Sequence, residues 1–313
     1  MTTVTLIGAP TDVGAAERGA SMGPEAMRVA GIQRALELRG LQVEDRANLA
    51  GPANPRQPPI EGYRNLQAAL EWNRLVHDAV YEELGAGRLP ILLGGDHSLA
   101  IGSISAVARH CREAGRKLRV LWLDAHADFN TGELSPSGNL HGMPLACLCG
   151  YGPQALVQLG GAVPAVHPQW IRQIGVRSVD EGEKRFVHDL AVDVFDMRYI
   201  DEMGMRQTME QALSGLDRDT HLHVSFDVDF LDPDIAPGVG TLVPGGCPSS
   251  SAAITRSASA RSARWRGIAA RPDASSVCCG WMRTPTSTPA SSPRAAISTA
   301  CRSPVCAASG RRR

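Results

Sequence analysis

The sequence predicts an α/β protein, a three-layer α-β-α arrangement around a mostly parallel central sheet. Two patterns predict it: short apolar runs suited to buried strands, and between them stretches whose apolar residues recur at helical spacing. The hydrophobic content, 43% of 313 residues, is ample for such a core. No internal repeat interrupts the alternation.

Val4–Gly8 reads as the first strand, ending in Gly-Ala-Pro. A helix follows from Pro24, a residue suited to a first turn, to a stop at Gly40. Residues 51–60, GPANPRQPPI, are too proline-rich for either element and read as a loop. The stretch from Gly62 to Gly85 is helical in its spacing, Pro90–Leu93 is a buried strand, and Ser98–Ala114 is the helix after it. Arg119–Leu123, Trp170–Val176 and Leu222–Phe226 are further strands with helical material between them.

The formal net charge is zero, with 32 basic and 32 acidic residues, but that average hides a break. From Cys247 onward there are eleven Arg and a single acid, Asp273, so the preceding body is about ten charges negative. Two parts are therefore expected: a folded domain over 1–246, and a basic low-complexity tail over 247–313, non-native or disordered. The start, MTTVTLIGAP, lacks a basic region and a long apolar run, so it reads as a strand rather than a signal peptide. No uncharged apolar run reaches the roughly 18 residues of a bilayer span. The body has three cysteines, Cys111, Cys147 and Cys149, which argues for a reducing, cytoplasmic location. Cys147 and Cys149 lie two apart on a helix, face different ways, and read as small buried apolar residues.

In parallel sheets, ligands bind beyond the carboxyl ends of strands, and here those ends carry unusual residues. After ILL comes Gly94-Gly95-Asp96-His97-Ser98; after VLWL, Asp124-Ala125-His126-Ala127-Asp128-Phe129-Asn130; after HVSF, Asp227-Val228-Asp229-Phe230-Leu231-Asp232-Pro233. In an extended backbone, alternation puts Asp124, His126 and Asp128 on one face, and likewise Asp227 and Asp229. Each motif taken singly has a plainer reading, a helix N-cap for an Asp and a hydrogen-bonded core residue for a His. Together they place carboxylates and imidazoles at the end of a hydrophobic sheet, where unpaired charge costs several kcal/mol or more. A divalent cation compensates several carboxylates at once, and a donor set without thiolates suits Mn²⁺ or Fe²⁺ better than a structural Zn²⁺. Gly94 and Gly95 have no Walker lysine or GxGxxG context, and read as permitting close backbone approach.

GGDHS, DAHADFN and SFDVDFLDP, in this order, resemble the three metal-binding signatures of the ureohydrolases, the arginase–agmatinase family. The resemblance runs from Gly8 to about Gly246. It implies a binuclear Mn²⁺ centre held by His97, Asp124, His126, Asp128, Asp227 and Asp229, with Asp124 and Asp227 bridging the metals. The stretch Ser137-Gly138-Asn139-Leu140-His141-Gly142-Met143-Pro144 looks like the arginase loop that receives the amino-acid end of the substrate. The resemblance further implies that Asn130, Ser137 and Asn139 bind there. It sets Asp180 against the α-amino group with Glu183 as a secondary candidate, and Thr241 near the guanidinium. The implied reaction is hydrolysis of L-arginine to L-ornithine and urea. A metal-activated hydroxide attacks the guanidinium carbon, Asp128 orients it, and His141 shuttles a proton, its ordinary pKa near 6.5 serving both directions.

The tail departs from the family. Its 67 residues contain no Leu, Phe, Tyr or Glu, too little to build a core. Family members continue into further helices and a strand carrying a glutamate that binds the guanidinium, whereas no Glu follows Glu210 here. The composition is that of GC-rich DNA read out of frame, which suggests a slip near Gly246. Loss of that strand is expected to disrupt the C-terminal part of the fold and bare a sheet edge. The spacing of Cys278, Cys279, Cys301 and Cys306 fits no zinc pattern.

The expected substrate is thus a small molecule, L-arginine, with two Mn²⁺ per subunit and no membrane or nucleic-acid partner. Family members often form trimers or hexamers, so a homo-oligomer is expected if the C-terminus permits. The competing readings are an agmatinase or other guanidino hydrolase, a catalytically impaired metal-binding homologue, and, last, a nucleic-acid binder using the basic tail.

Overall fold

A computed structural model of the chain describes residues 3–247 and 277–280, and all that follows concerns those residues. The strands are β1 (Thr3–Gly8), β2 (Gln42–Asn48), β3 (Leu89–Leu93), β4 (Lys117–Leu123), β5 (Ile171–Ile174), β6 (Asp193–Phe195), β7 (Thr220–Asp227) and β8 (Val277–Gly280). They form one sheet in the order β2-β1-β3-β8-β7-β4-β5-β6, and each pairing within it is parallel. The helices are α1 (Gly23–Val29), α2 (Ile32–Glu37), α3 (Leu66–Gly85), α4 (Ala100–Glu113), α5 (Pro144–Leu148), α6 (Gln154–Val157), α7 (Glu181–Asp189), α8 (Met197–Met203) and α9 (Met205–Ala212).

Strand alternation divides the core into two layers. Ile7, Leu92, Leu118, Val120 and Trp122 face one side, where they pack with residues of α3 to α7. Val4, Leu6, Ile91 and Leu93 face the other, against Met27 of α1 and Ile32 and Leu36 of α2. Leu121, Leu123 and Leu222 also lie on that second side, under Met197 and Ile200 of α8 and Met205 and Met209 of α9. Among the described residues, connections stepping toward β6 cross the first face, and those from β1 to β2 and from β6 to β7, stepping back toward β2, cross the second. That rule follows when all crossovers share one hand, as parallel sheets require. The three-layer α-β-α class is therefore observed, and the sheet is parallel throughout.

Local departures from the sequence reading have local causes. The helix expected from Pro24 to Gly40 is two helices, because Gly31 takes the left-handed backbone (φ 82) and restarts the chain as α2. α3 begins at Leu66 rather than at Gly62, since Asn65 is itself left-handed (φ 52). The strands β2 and β6 were not expected: QVEDRAN is an exposed edge strand without an apolar run, and DVF has three residues. Cys147 and Cys149 are both buried free thiols, as read.

The expected loss of a strand is corrected in one respect: the four residues of β8, from the tail, fill the slot between β3 and β7. The expectations for residues 248–276 and 281–313, with Cys301 and Cys306, lie outside the described residues.

Candidate metal centre and active site

All three motifs sit at the carboxyl end of the sheet. His97 opens a short 3-10 turn after β3, whose N-cap Asp96 accepts from Ser98 N (3.0 Å) and from Gly14 N (2.9 Å). Asp96 is thus a clamp between two loops, and the motif's imidazole is left to face the site. Gly95 permits the close approach read from the sequence, since a Cβ there would collide with the Thr11 carbonyl.

Asp124, His126 and Asp128 follow β4, but not as a continued strand. β4 ends at Leu123, and Asp128 takes a left-handed backbone (φ 53), rare outside glycine. The single extended face expected for the three is corrected accordingly: the loop turns back, and this turn brings the Asp128 carboxylate to His97. Asp227 ends β7 and Asp229 lies in the 3-10 turn that follows, its N–H donating to Asp227 Oδ1 at 3.0 Å.

The six side chains converge. His97 Nδ1 lies 3.0 Å from Asp124 Oδ2, 3.2 Å from Asp128 Oδ2 and 3.1 Å from Asp227 Oδ2. It makes a well-aligned hydrogen bond to none of them, although it is buried. His126 Nδ1 lies 3.1 Å from Asp229 Oδ2 and 3.5 Å from Asp124 Oδ1. Two ligand groups result, His97 with Asp124 and Asp227, and His126 with Asp124 and Asp229, each with donor atoms within 4.8 Å of one another. Asp124 belongs to both, presenting one oxygen to each side.

Electrostatically the cluster is unfinished. Burial and neighbouring carboxylates push Asp128 and Asp227 up to about 7 and Asp229 up to about 6. Burial also opposes the charge on Asp124, but the facing His126 and His97 imidazoles overcome it and hold that carboxyl well below its usual range. Burial pulls both imidazoles down; the carboxylates outweigh it, driving His126 up to about 12 and His97 well above 6.5. Three of the four buried carboxylates thus compete for protons near neutrality, while Asp124 stays ionised. Divalent cations can take the place of those protons, so the donor set fits such ions.

The cluster forms the floor of a cavity of about 210 Å³, whose wall includes Asn130, Ser137, Asn139, His141, Asp180, Glu183 and Thr241. Every candidate residue named from the sequence lines it. Asp180 caps α7 and accepts from Asn130 Nδ2 at 3.3 Å. Glu183 is buried, and its two oxygens accept from Phe129 N (2.8 Å) and Asp180 N (3.4 Å), so it braces the backbone next to Asp128. Burial, opposed by the Phe129 N–H, pushes Glu183 up to about 7. His141 is fixed by its own N–H to Gly14 O at 3.0 Å. Burial, reinforced by the facing His126 and His97 charges, takes His141 down to about 4, below the ordinary value that recommended it.

Residues 2–262 match the arginase family. The chain belongs to the arginase family. The arginase of Bacillus caldovelox is 44% identical over 249 residues, which is 79% of this chain and 82% of that one. The native structure of that arginase superposes with a TM-score of 0.79 at 39% identity, covering 90% of this chain and 91% of the other. The Entamoeba histolytica arginase, solved in complex with L-ornithine, gives a TM-score of 0.76 at 30% identity, over 90% and 92% of the two chains. The family match extends past Gly246, where the motif resemblance stopped.

Some supports of the arginase site were not read from the sequence. Trp122 stacks on His97, with centroids 4.0 Å apart, and donates from Nε1 to Asp124 Oδ2 at 3.0 Å. Ser225 Oγ lies 2.8 Å from His97 Nε2. Each stands on its strand two residues before a candidate ligand, so counting back from Asp124 and Asp227 is the signal that finds them. Ser135, Pro136 and Ser178 also line the cavity, and nothing in their spacing marked them.

Proposed function

We propose that the chain hydrolyses L-arginine to L-ornithine and urea, holding two Mn²⁺ ions with His97, Asp124, His126, Asp128, Asp227 and Asp229. The observation that carries this reading is the sharing of Asp124 between two ligand groups on the floor of a polar cavity. When bound, such a cation pair neutralises the carboxylates and acidifies water between them.

The chain's own residues supply the rest. A guanidinium carbon is electron-rich by resonance and needs a well-placed nucleophile. Asp128, held by its left-handed backbone, accepts a hydrogen bond from the attacking oxygen and orients it. His141, neutral at pH 7, takes up a proton at its imidazole and passes it to the departing amine nitrogen. Asn130, Ser137 and Asn139 receive the α-carboxylate and Asp180 the α-amino group, while Glu183 braces the loop carrying Asp128. Thr241 stands by the guanidinium. The chain acts in the cytoplasm and assembles as a homo-oligomer.

A second reading is a metal-binding homologue with impaired turnover. One observation favours it: no glutamate follows Glu210, so the guanidinium-binding glutamate implied by the resemblance has no counterpart. A slip of reading frame near Gly246 accounts for this. The coding DNA tests the slip: an arginase-like C-terminus bearing that glutamate must appear in another frame, and its absence from all frames sinks the idea.

Urea release from L-arginine and from agmatine, measured side by side on purified protein with added Mn²⁺, tests the function. Preference for L-arginine supports it, and preference for agmatine assigns a different guanidino hydrolase. Retained Mn²⁺ with no urea from either substrate assigns the impaired homologue.

A further inference from the structure

The proline-rich loop over 51–60 and the residues after it are packed onto the substrate loop, backbone against backbone. A Cβ on Gly62 would collide with the Gly132 carbonyl, and one on Gly138 would lie 2.9 Å from Gly62 O. Arg64 joins the two most closely. Its main-chain N–H donates to Gly138 O at 2.8 Å, and its Nε donates to Asn139 Oδ1 at 3.0 Å. The guanidinium also reaches back to Gln57 O, at 3.3 Å from Nη1. Asn65 next to it anchors this strap, accepting from Gln57 N (3.0 Å) and donating to Val13 O (2.9 Å).

The chemistry of that contact is one-directional. An arginine side chain can only donate, so the atom of Asn139 facing it is the amide oxygen. With Oδ1 turned to Arg64, the group Asn139 can present on its other side is Nδ2–H₂, which carries two donors. Asn139 lines the cavity, so at this point the wall favours an acceptor such as an anion over a cationic or donor group.

We propose that Arg64 is a positioning residue for substrate selection: by holding the Asn139 oxygen it commits that amide to donate to the α-carboxylate of an amino-acid substrate. The inference rests on the proposed amino-acid reading of the cavity and deepens it. Arg64 acts through Asn139, and its removal frees the amide to turn its oxygen inward, against a carboxylate.

The test uses the full-length, Mn²⁺-loaded protein and two probes, L-ornithine and putrescine, which differ by the carboxylate. Calorimetric titration of Arg64→Met is expected to show L-ornithine binding weakened roughly tenfold, with putrescine unchanged. In an Asn139→Ala background, the same substitution is expected to change neither affinity, which a general loosening of the loop would not reproduce. Equal weakening of both probes, an unchanged L-ornithine affinity, or an undiminished effect in the Asn139→Ala background overturns the proposal. If the unaltered protein binds L-ornithine no more tightly than putrescine, the amino-acid reading itself fails, and the role of Arg64 with it. Should Arg64→Met fail to fold, Arg64→Lys, which keeps the charge but loses the planar donor, carries the same comparison.

Discussion

The indole of Trp122 lies flat against the imidazole of His97, with planes 11° apart, while its Nε1 holds Asp124. One buried side chain thereby fixes a ligand from each of two strands. Trp122→Phe keeps an aromatic face but removes the donor to Asp124. Mn²⁺ affinity is expected to fall roughly tenfold, as for other groups that orient a metal's ligands. Equilibrium dialysis against graded Mn²⁺ reads it, and an unchanged affinity would show that Asp124 needs no such support.

His141→Asn removes a proton carrier from the cavity wall without touching the six ligands. Mn²⁺ content is expected to stay at the level of the unaltered protein, while kcat for L-arginine falls roughly 100-fold. Turnover at the original rate would take His141 out of the mechanism.

His221 and His223 point the same way from β7, and both are buried. Burial, with minor contributions from nearby Arg116 and His110, takes His221 down to about 3; burial and His221 do the same to His223. Their folded pKa lies below the ordinary 6.5, so the unfolded chain binds more protons in between. The stability that each contributes is complete above pH 6.5 and drains away as pH falls toward about 3. Below 6.5 the loss approaches about 1.4 kcal/mol per pH unit for each histidine. Urea midpoints of the unaltered chain and of His221→Leu, compared from pH 7 to pH 5, should show a shallower decline in the variant. Parallel declines would be inconsistent with a buried neutral His221.

Gly95 sits where the chain leaving β3 passes the Thr11 carbonyl, and Asp96 N donates to that same carbonyl at 3.1 Å. Gly95→Ala must push the two backbones apart, at a cost of about 2 kcal/mol. A lowered denaturation midpoint with weakened Mn²⁺ binding is expected, because the displaced loop carries His97. A variant as stable as its parent would mean that the loop at Thr11 yields freely.

The candidate ligands stand out in the sequence because each motif is local: a buried apolar run, a sharp end, and charged residues immediately after it. Alternation along β4 and β7 also points to Trp122 and Ser225, two residues before Asp124 and Asp227. It stopped being a guide at Asp128, which takes a left-handed backbone, a conformation an aspartate adopts only occasionally and that its identity does not announce. β2 escaped notice because an edge strand in water needs no apolar run, and its polar residues pair with β1 through the backbone alone. Arg64 escaped for a different reason. Its partner Asn139 lies 75 residues away, and its own surroundings, a loop rich in proline, carry no sign of the cavity.

Chain order and spatial order disagree at β8. β3 and β7 pair with β8 and not with each other, so without β8 the sheet is two halves, β2-β1-β3 and β7-β4-β5-β6. His97 belongs to the first half; Asp124, His126, Asp128, Asp227 and Asp229 belong to the second. During synthesis all six emerge before residues 277–280 do, at a stage when β3 and β7 lack the strand that pairs with both. The strand that pairs with both halves sets the spacing across which the six side chains meet. Residues 277–280 are therefore the keystone between two halves whose six site residues are all made earlier.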